Sequence, residues 1–136
     1  MGLKVIPQKY HVFDSGYRGP CNLEDDDCAS FYLWVNFHHP QVNIFHVTNE
    51  FKCTKKQGET LNRKGRKKGV SDYIILTPGH AHPYAVIEGK RKDRTKSAWR
   101  DGQREFLNQC ADDGGFSAVA YGLDEMKKAF IFYLQG

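Results

Sequence analysis

The chain has 136 residues, 40% of them hydrophobic, and a formal net charge of +4 at pH 7. That length suits one domain over 1–136 with room for a real core, and no apolar run reaches the roughly 20 residues that a membrane span needs. Cys21, Cys28, Cys53 and Cys110 show no paired spacing and read as reduced thiols; residues 1–20 lack the apolar stretch of a secretory signal, so the cytoplasm is the expected compartment.

Residues 1–20 mix Gly, Pro and aromatics without a period and read as an extended N-terminal arm packed on the body. Asn22 is a good N-cap for a helix over 23–38, stopped before Pro40. Its first turn holds Glu24, Asp25, Asp26 and Asp27, and acids suit a helix N-terminus. Cys28, Phe31, Trp34 and Val35 recur at helical spacing and mark the core face. Extended backwards, that face takes in Glu24 and Asp27, so either is a candidate for a site, while Asp25 and Asp26 point to solvent. Residues 43–48 (NIFHVT) read as a strand closed by Asn49-Glu50, with His46 as a satisfied core histidine.

Residues 52–68 carry eight Lys or Arg against one acid, Glu59, with no usable apolar period. They read as a basic loop. The loop leads into a hairpin over 69–90, in which the apolar runs Tyr73 to Leu76 and Tyr84 to Ile87 flank the turn Thr77-Pro78-Gly79-His80. Asp72 opens the first strand and Glu88 ends the second, so antiparallel pairing brings two carboxylates side by side. Such a pair repels unless a cation sits between them, and hard oxygen ligands suit Mg²⁺ or Mn²⁺. Lys90, two residues after Glu88, leaves the same strand face. The hairpin therefore reads as a divalent-metal site with an ammonium beside it. A basic loop feeding such a site points to phosphate as the partner.

Residues 90–100 (KRKDRTKSAWR) form a second basic stretch. A helix is predicted from Ser97 to Asp112, with Trp99, Phe106, Leu107 and Cys110 on one face. Gln103 falls on that face, where a polar amide must find partners; it is expected either to be satisfied in the core or to reach the carboxylates and orient Lys90 or a water. Gly114-Gly115 end the helix, 116–121 (FSAVAY) form a strand, and 123–134 a last helix with Met126, Ala129, Phe130 and Tyr133 in phase. The predicted order is α-β-β-β-α-β-α. His80 and His82 read as a solvated turn pair and His38-His39 as a helix end.

These pieces resemble the PD-(D/E)xK nuclease core, with Ser71-Asp72 at its PD position and Glu88-Gly89-Lys90 as its ExK. More closely, residues 23–134 are similar to a stand-alone VRR-NUC domain. Glu24 to Trp34 match its acid-bearing first helix and His46-Val47-Thr48-Asn49-Glu50 its HxxNE-like strand end. Gly69-Val70-Ser71-Asp72 matches G-[VL]-P-D, and Gln103 the helix-borne Gln that follows ExK. Two departures are Ser71, where Pro is usual, and Gly89, where a bulkier apolar residue is common.

The resemblance implies an α/β, restriction-endonuclease-like fold, with a mixed central sheet of about four strands flanked by helices. It implies a Mg²⁺- or Mn²⁺-dependent endonuclease that hydrolyses DNA phosphodiester bonds, of bacterial or phage type, cutting branched DNA such as four-way junctions as a homodimer. Asp72, Glu88, Lys90 and Gln103 would be catalytic. Asp72, Glu88, the Gly89 backbone carbonyl and Glu24 or Asp27 would hold metal. Lys55, Lys56, Arg63, Lys64, Arg66, Lys67, Lys68, Arg91, Lys92, Arg94 and Lys96 would hold the DNA backbone. No membrane and no organic cofactor are expected. The rival readings are a non-catalytic nucleic-acid-binding module, which needs the bases but not the converging polar groups, and a sequence-specific restriction-type nuclease, for which little chain is left over. Tyr10, Phe13 and Tyr17 of the arm and Phe130, Phe132 and Tyr133 of the last helix are candidates for a dimer interface.

Overall fold

The computed structural model describes residues 6–48 and 53–136. Asn49, Glu50 and Lys52 of the sequence reading lie outside the described residues. The elements run β1 (His11–Phe13), α1 (Glu24–His38), β2 (Ile44–His46), α2 (Lys55–Arg63), β3 (Tyr73–Ile75), β4 (Ala85–Lys90), α3 (Gln103–Asp112), β5 (Phe116–Tyr121) and α4 (Leu123–Gln135), with a 3₁₀ turn at Arg94–Lys96. One mixed sheet has the order β1-β5-β4-β3-β2. The predicted hairpin is the antiparallel pair β3–β4, with Tyr73 opposite Ile87. β4 and β5 are parallel, joined through α3, and both are buried along their whole length.

Burial on both faces follows from the alternation of side chains along these strands. Ala85 and Ile87 of β4 and Phe116, Ala118 and Ala120 of β5 pack with Cys28, Phe31 and Val35 of α1 and Met126, Ala129 and Phe130 of α4. Val86 and Val119, on the opposite face, pack with Leu107 and Cys110 of α3 and with Tyr10 and Tyr121. The sheet is thus sandwiched between α1 and α4 on one side and α3 on the other. Among the described residues, no helix is long and apolar enough to cross a membrane.

The structure corrects the sequence reading in several places. The sheet has five strands rather than about four, because the arm supplies β1, parallel to β5. The basic segment is not all loop: 55–63 is a helix, started by a capping box in which the Thr54 side chain accepts from the Gln57 N–H and Gln57 returns a bond to the Thr54 N–H. α3 begins at Gln103, not Ser97. Before it, Asp93 caps the 3₁₀ turn, Ser97 Oγ accepts the Arg91 N–H, and Gly102 stands at φ 85°. Trp99 is therefore off the helix but still packs beside Tyr10 and the second core. Leu23, not Asn22, occupies the α1 N-cap position, because the Asn22 amide donates to Asp27 Oδ1 at 3.1 Å. Of the surplus aromatics proposed for a shared surface, Tyr10, Phe130 and Tyr133 belong to the chain's own core. Phe132 is 45% exposed and leans on Phe13 and Phe116.

One close backbone approach joins the basic segment to the start of α3. Gly69 has φ +79°, and a Cβ there would lie 2.2 Å from the Gly102 carbonyl carbon and 2.5 Å from the Gln103 nitrogen. No side chain fits. Gly69→Ala is expected to lower stability by about 2–4 kcal/mol, the sum of left-handed strain and overpacking, read as a drop in the thermal midpoint; an unchanged midpoint would show that this contact does not hold the segment.

Candidate active site

The hairpin register builds the site. Since Tyr73 faces Ile87, Asp72 and Glu88 are the next cross-strand neighbours. α1 contributes Glu24, its first residue. One oxygen from each of Glu24, Asp72 and Glu88 lies within 4.8 Å of the others. The Tyr73 hydroxyl donates to the Cys28 carbonyl at 2.8 Å, tying α1 to the strand that follows Asp72. Gly89 lets α1 and α4 close over the strand, since a Cβ there would sit 2.6 Å from Met126 Cε and 3.0 Å from Cys28 Sγ. The departure from a bulky residue at this position is therefore set by packing. The Ser71 hydroxyl is buried without a hydrogen-bond partner and supplies nothing to the cluster.

A buried network holds these groups. Asp72 Oδ2 accepts the Gly89 N–H at 2.7 Å. Glu88 Oε2 accepts from Gln103 Nε2 at 3.0 Å. The Gln103 Oε1 accepts from Lys90 Nζ at 2.8 Å and from the Arg100 N–H at 2.9 Å. Lys90 also donates to the Ala98 carbonyl at 2.9 Å, stands 3.9 Å from Glu88 Oε2, and lies 5.0 Å from the centre of the Trp99 ring. Glu88 and Lys90 are only 2% and 3% exposed, so the network is desolvated, and the bonds through Gln103 and to the Ala98 carbonyl are what make that tolerable.

The three carboxyls are held above the ordinary carboxylate range. For Glu88 the main cause is burial, then the charge of Asp72, with Lys90 opposing. Asp72 is raised by burial and partly offset by the Gly89 N–H. Glu24 is raised by burial and then by Asp72. Lys90 opposes the shift in all three, joined by Arg100 at Glu24 and His46 at Asp72, yet burial prevails in each.

The cluster opens into a groove of ≈ 890 Å³, whose lining includes Leu23, Glu24 and Asp25 as well as Arg66, Lys67, Lys68 and Arg100. Lys55, Lys56, Arg63 and Lys64 are exposed on α2 and at its end. The second basic stretch divides. Arg91 lines the groove, yet its guanidinium donates to the Cys21 and Asn22 carbonyls. Lys92 lies over the Tyr17 ring at 4.5 Å, and Arg94 pairs with Asp14 at 3.4 Å, both against the arm. Lys96 is exposed on the 3₁₀ turn. Of the two first-helix acids, Glu24 joins the cluster. Asp27 is 3% exposed and borders a separate cleft with Cys21, Lys92 and Asp124.

Two groove residues escaped the sequence reading. His46, expected in the core, is exposed, packs its ring 5.5 Å from that of Tyr73, and lowers the cost of charge on Asp72. Arg100 was one base among many; its place three residues before Gln103, inside the turn that enters α3, was the available signal.

Among solved structures, the chain is similar to a "VRR_NUC domain protein", with a TM-score of 0.69 over 88% of this chain and 93% of that one. The chain has a VRR-NUC fold. Sequence identity over the match is 22%, so the likeness carries the architecture alone: a mixed sheet flanked by helices. No family model matches the sequence, and no curated protein does.

Raised carboxyl pKa values fix the sign of a pH effect. In the folded state these groups hold protons that the unfolded chain releases, so the stability of the metal-free protein falls as pH rises through the raised values and is regained on acidification towards the ordinary carboxylate range. Asp72→Asn removes one like charge, and the amide oxygen keeps the Gly89 bond. Melting in EDTA at neutral pH is expected to show the variant more stable by about 1 kcal/mol, roughly 3–5 °C, with a shallower pH dependence. A less stable variant would mean that Asp72 is a stabilising anion in the apo protein.

Proposed function

We propose that this protein is a Mg²⁺- or Mn²⁺-dependent endodeoxyribonuclease of the cytoplasm that recognises branched DNA by shape, a four-way junction above all, as a symmetric homodimer. One observation carries the reading: three carboxylates converge beside a buried lysine held by a glutamine, at the floor of a groove with a basic wall. The "NUC" in the name of the similar solved structure is in keeping with it.

The residues fit a hard divalent cation. Glu24, Asp72 and Glu88 offer oxygen donors, and their mutual repulsion is the charge that a cation offsets. In an extended strand, the N–H and C=O of one residue point to the same edge. The Gly89 N–H points to Asp72, so its carbonyl leaves on that edge, beyond the start of β3, where it can add a fourth oxygen. When bound, such an ion supplies charge neutralisation on the phosphate and acidification of water.

The chain's own residues do the rest. Lys90 spends two N–H bonds on Ala98 and Gln103, which leaves the third for the attacking water or for the charge that develops on the phosphate. Gln103 holds both Lys90 and Glu88 and so fixes their separation. The wall of Arg66, Lys67 and Lys68 suits phosphate oxygens. Phosphate contacts carry no base sequence, which favours shape over a restriction-type reader. A module that only binds DNA has no use for a buried Lys–Gln–Glu network whose desolvation costs stability. One such site cuts one strand, and paired cuts at a junction call for two sites related by a two-fold axis.

Purified protein offered linear duplex, single strand, flap and junction is expected to cut the junction best, in both opposed strands, with Mg²⁺ or Mn²⁺ and not with EDTA. Glu88→Ala and Lys90→Ala are each expected to cost about 10²-fold or more in rate. Mn²⁺ binding should be lost in Glu88→Ala and kept in Lys90→Ala, since an ammonium is no ligand. Undiminished cleavage by Glu88→Ala would remove the assignment, and equal cleavage of linear duplex would remove the junction preference.

A further inference from the structure

We infer that Arg91 is a positioning residue: its guanidinium sets the place of Glu24 against Glu88, and it does not serve as a phosphate contact. The inference rests on the metal-site reading above and concerns how one acid of that site is held.

Side chains alternate along β4. Glu88 and Lys90 face the α3 side, where Gln103 meets both, while Gly89 abuts Cys28 of α1 and Met126 of α4. Arg91, the next residue, leaves on the α1 side. There its Nη2 donates to the Cys21 carbonyl at 2.8 Å and its Nε to the Asn22 carbonyl at 3.1 Å. A planar fork gripping two successive carbonyls fixes direction as well as distance. The gripped residues lie immediately before Leu23 and Glu24. One strand thus carries Glu88 directly and locates Glu24 through three residues of chain.

The start of α1 has reason to need such a grip. Leu23, at the N-cap, makes no side-chain cap, and the Asn22 amide is committed to Asp27. Four acids crowd the first turn, and Glu24 faces the like charge of Asp72. Lys90 and Arg100 oppose that repulsion at Glu24, and Arg91 holds the residues before it. The Tyr73 bond to Cys28 secures the helix one turn further on, not its entry. A second tie supports the same entry from the same stretch, since Asp93 Oδ2 accepts the Gly19 N–H at 2.9 Å.

Lysine in place of Arg91 separates the two roles. It keeps the charge that a phosphate contact uses, but a single ammonium on a flexible stem does not reproduce the fork. Mn²⁺ affinity, measured without DNA by electron paramagnetic resonance, is expected to weaken roughly 10-fold in Arg91→Lys, the scale of losses from residues that orient metal ligands. In a Glu24→Gln background the same change is expected to add nothing further, which a general loss of structure would not mimic. Arg91→Gln, which keeps one donor, serves as the second variant, and thermal melts confirm that the proteins compared are folded. Wild-type Mn²⁺ affinity in both variants would overturn the inference and leave the proposed function standing. An equal loss with and without Glu24 would also overturn it. Absence of Mn²⁺ binding by the wild type would remove the proposed function and this inference together.

Discussion

The hairpin register is the constraint on which the site depends. Tyr73 opposite Ile87 puts Asp72 opposite Glu88, and a slip of one residue would turn one carboxylate to the other face of the sheet. The register is secured because both strands are half of a buried sandwich. Tyr73, Ile75, Ala85 and Ile87 belong to the α1–α4 core, and Val86 to the α3 core. Everything polar in the site is then placed relative to this pair: Lys90 by strand alternation, Gln103 by the α3 crossover, and Glu24 by the α1 entry.

The site stores unfavourable electrostatics. Burial and mutual repulsion hold the three carboxyls above their ordinary range, against the opposing charges of Lys90, Arg100 and His46. A protein selected for stability alone would replace such a group with apolar residues of similar volume. Gln103 keeps the arrangement tolerable by satisfying Lys90 and Glu88 at once. In the proposed function this imbalance is the source of cation affinity. In that reading Arg66, Lys67 and Lys68 of the groove add a longer-range attraction for phosphate.

What was legible in the sequence was local. A breaker-rich turn between two apolar runs was enough to pair Asp72 with Glu88, and an amide on an apolar stripe marked Gln103 as needing partners, with the site as one of two places to find them. Helical phase could not separate Glu24 from Asp27, which are three residues apart on one stripe; in the fold the first lies beside Asp72 and the second accepts a bond from Asn22. β1 was missed because its partner, β5, is almost the whole chain away, and three residues give no period. α2 has no apolar phase to reveal it, although Thr54-x-x-Gln57 is a capping-box signature in its own right. Beyond Lys90, which the strand alternation already set apart, the bases of 91–100 looked equivalent in sequence. In the fold, strand end and 3₁₀ turn send Lys90 to the site, Arg91 to the backbone before α1, and Lys92 and Arg94 to the arm.

The proposed divalent-cation site lies at the open end of the β3–β4 hairpin. Diffraction from crystals grown with Mn²⁺, recorded at the manganese absorption edge, tests it directly. The account predicts an anomalous peak bounded by the Asp72 and Glu88 carboxylates and the Gly89 carbonyl, with Glu24 in its coordination sphere or one water away. No peak there at Mn²⁺ concentrations that saturate binding in solution, or ordered manganese elsewhere with these carboxylates left unliganded, would contradict it.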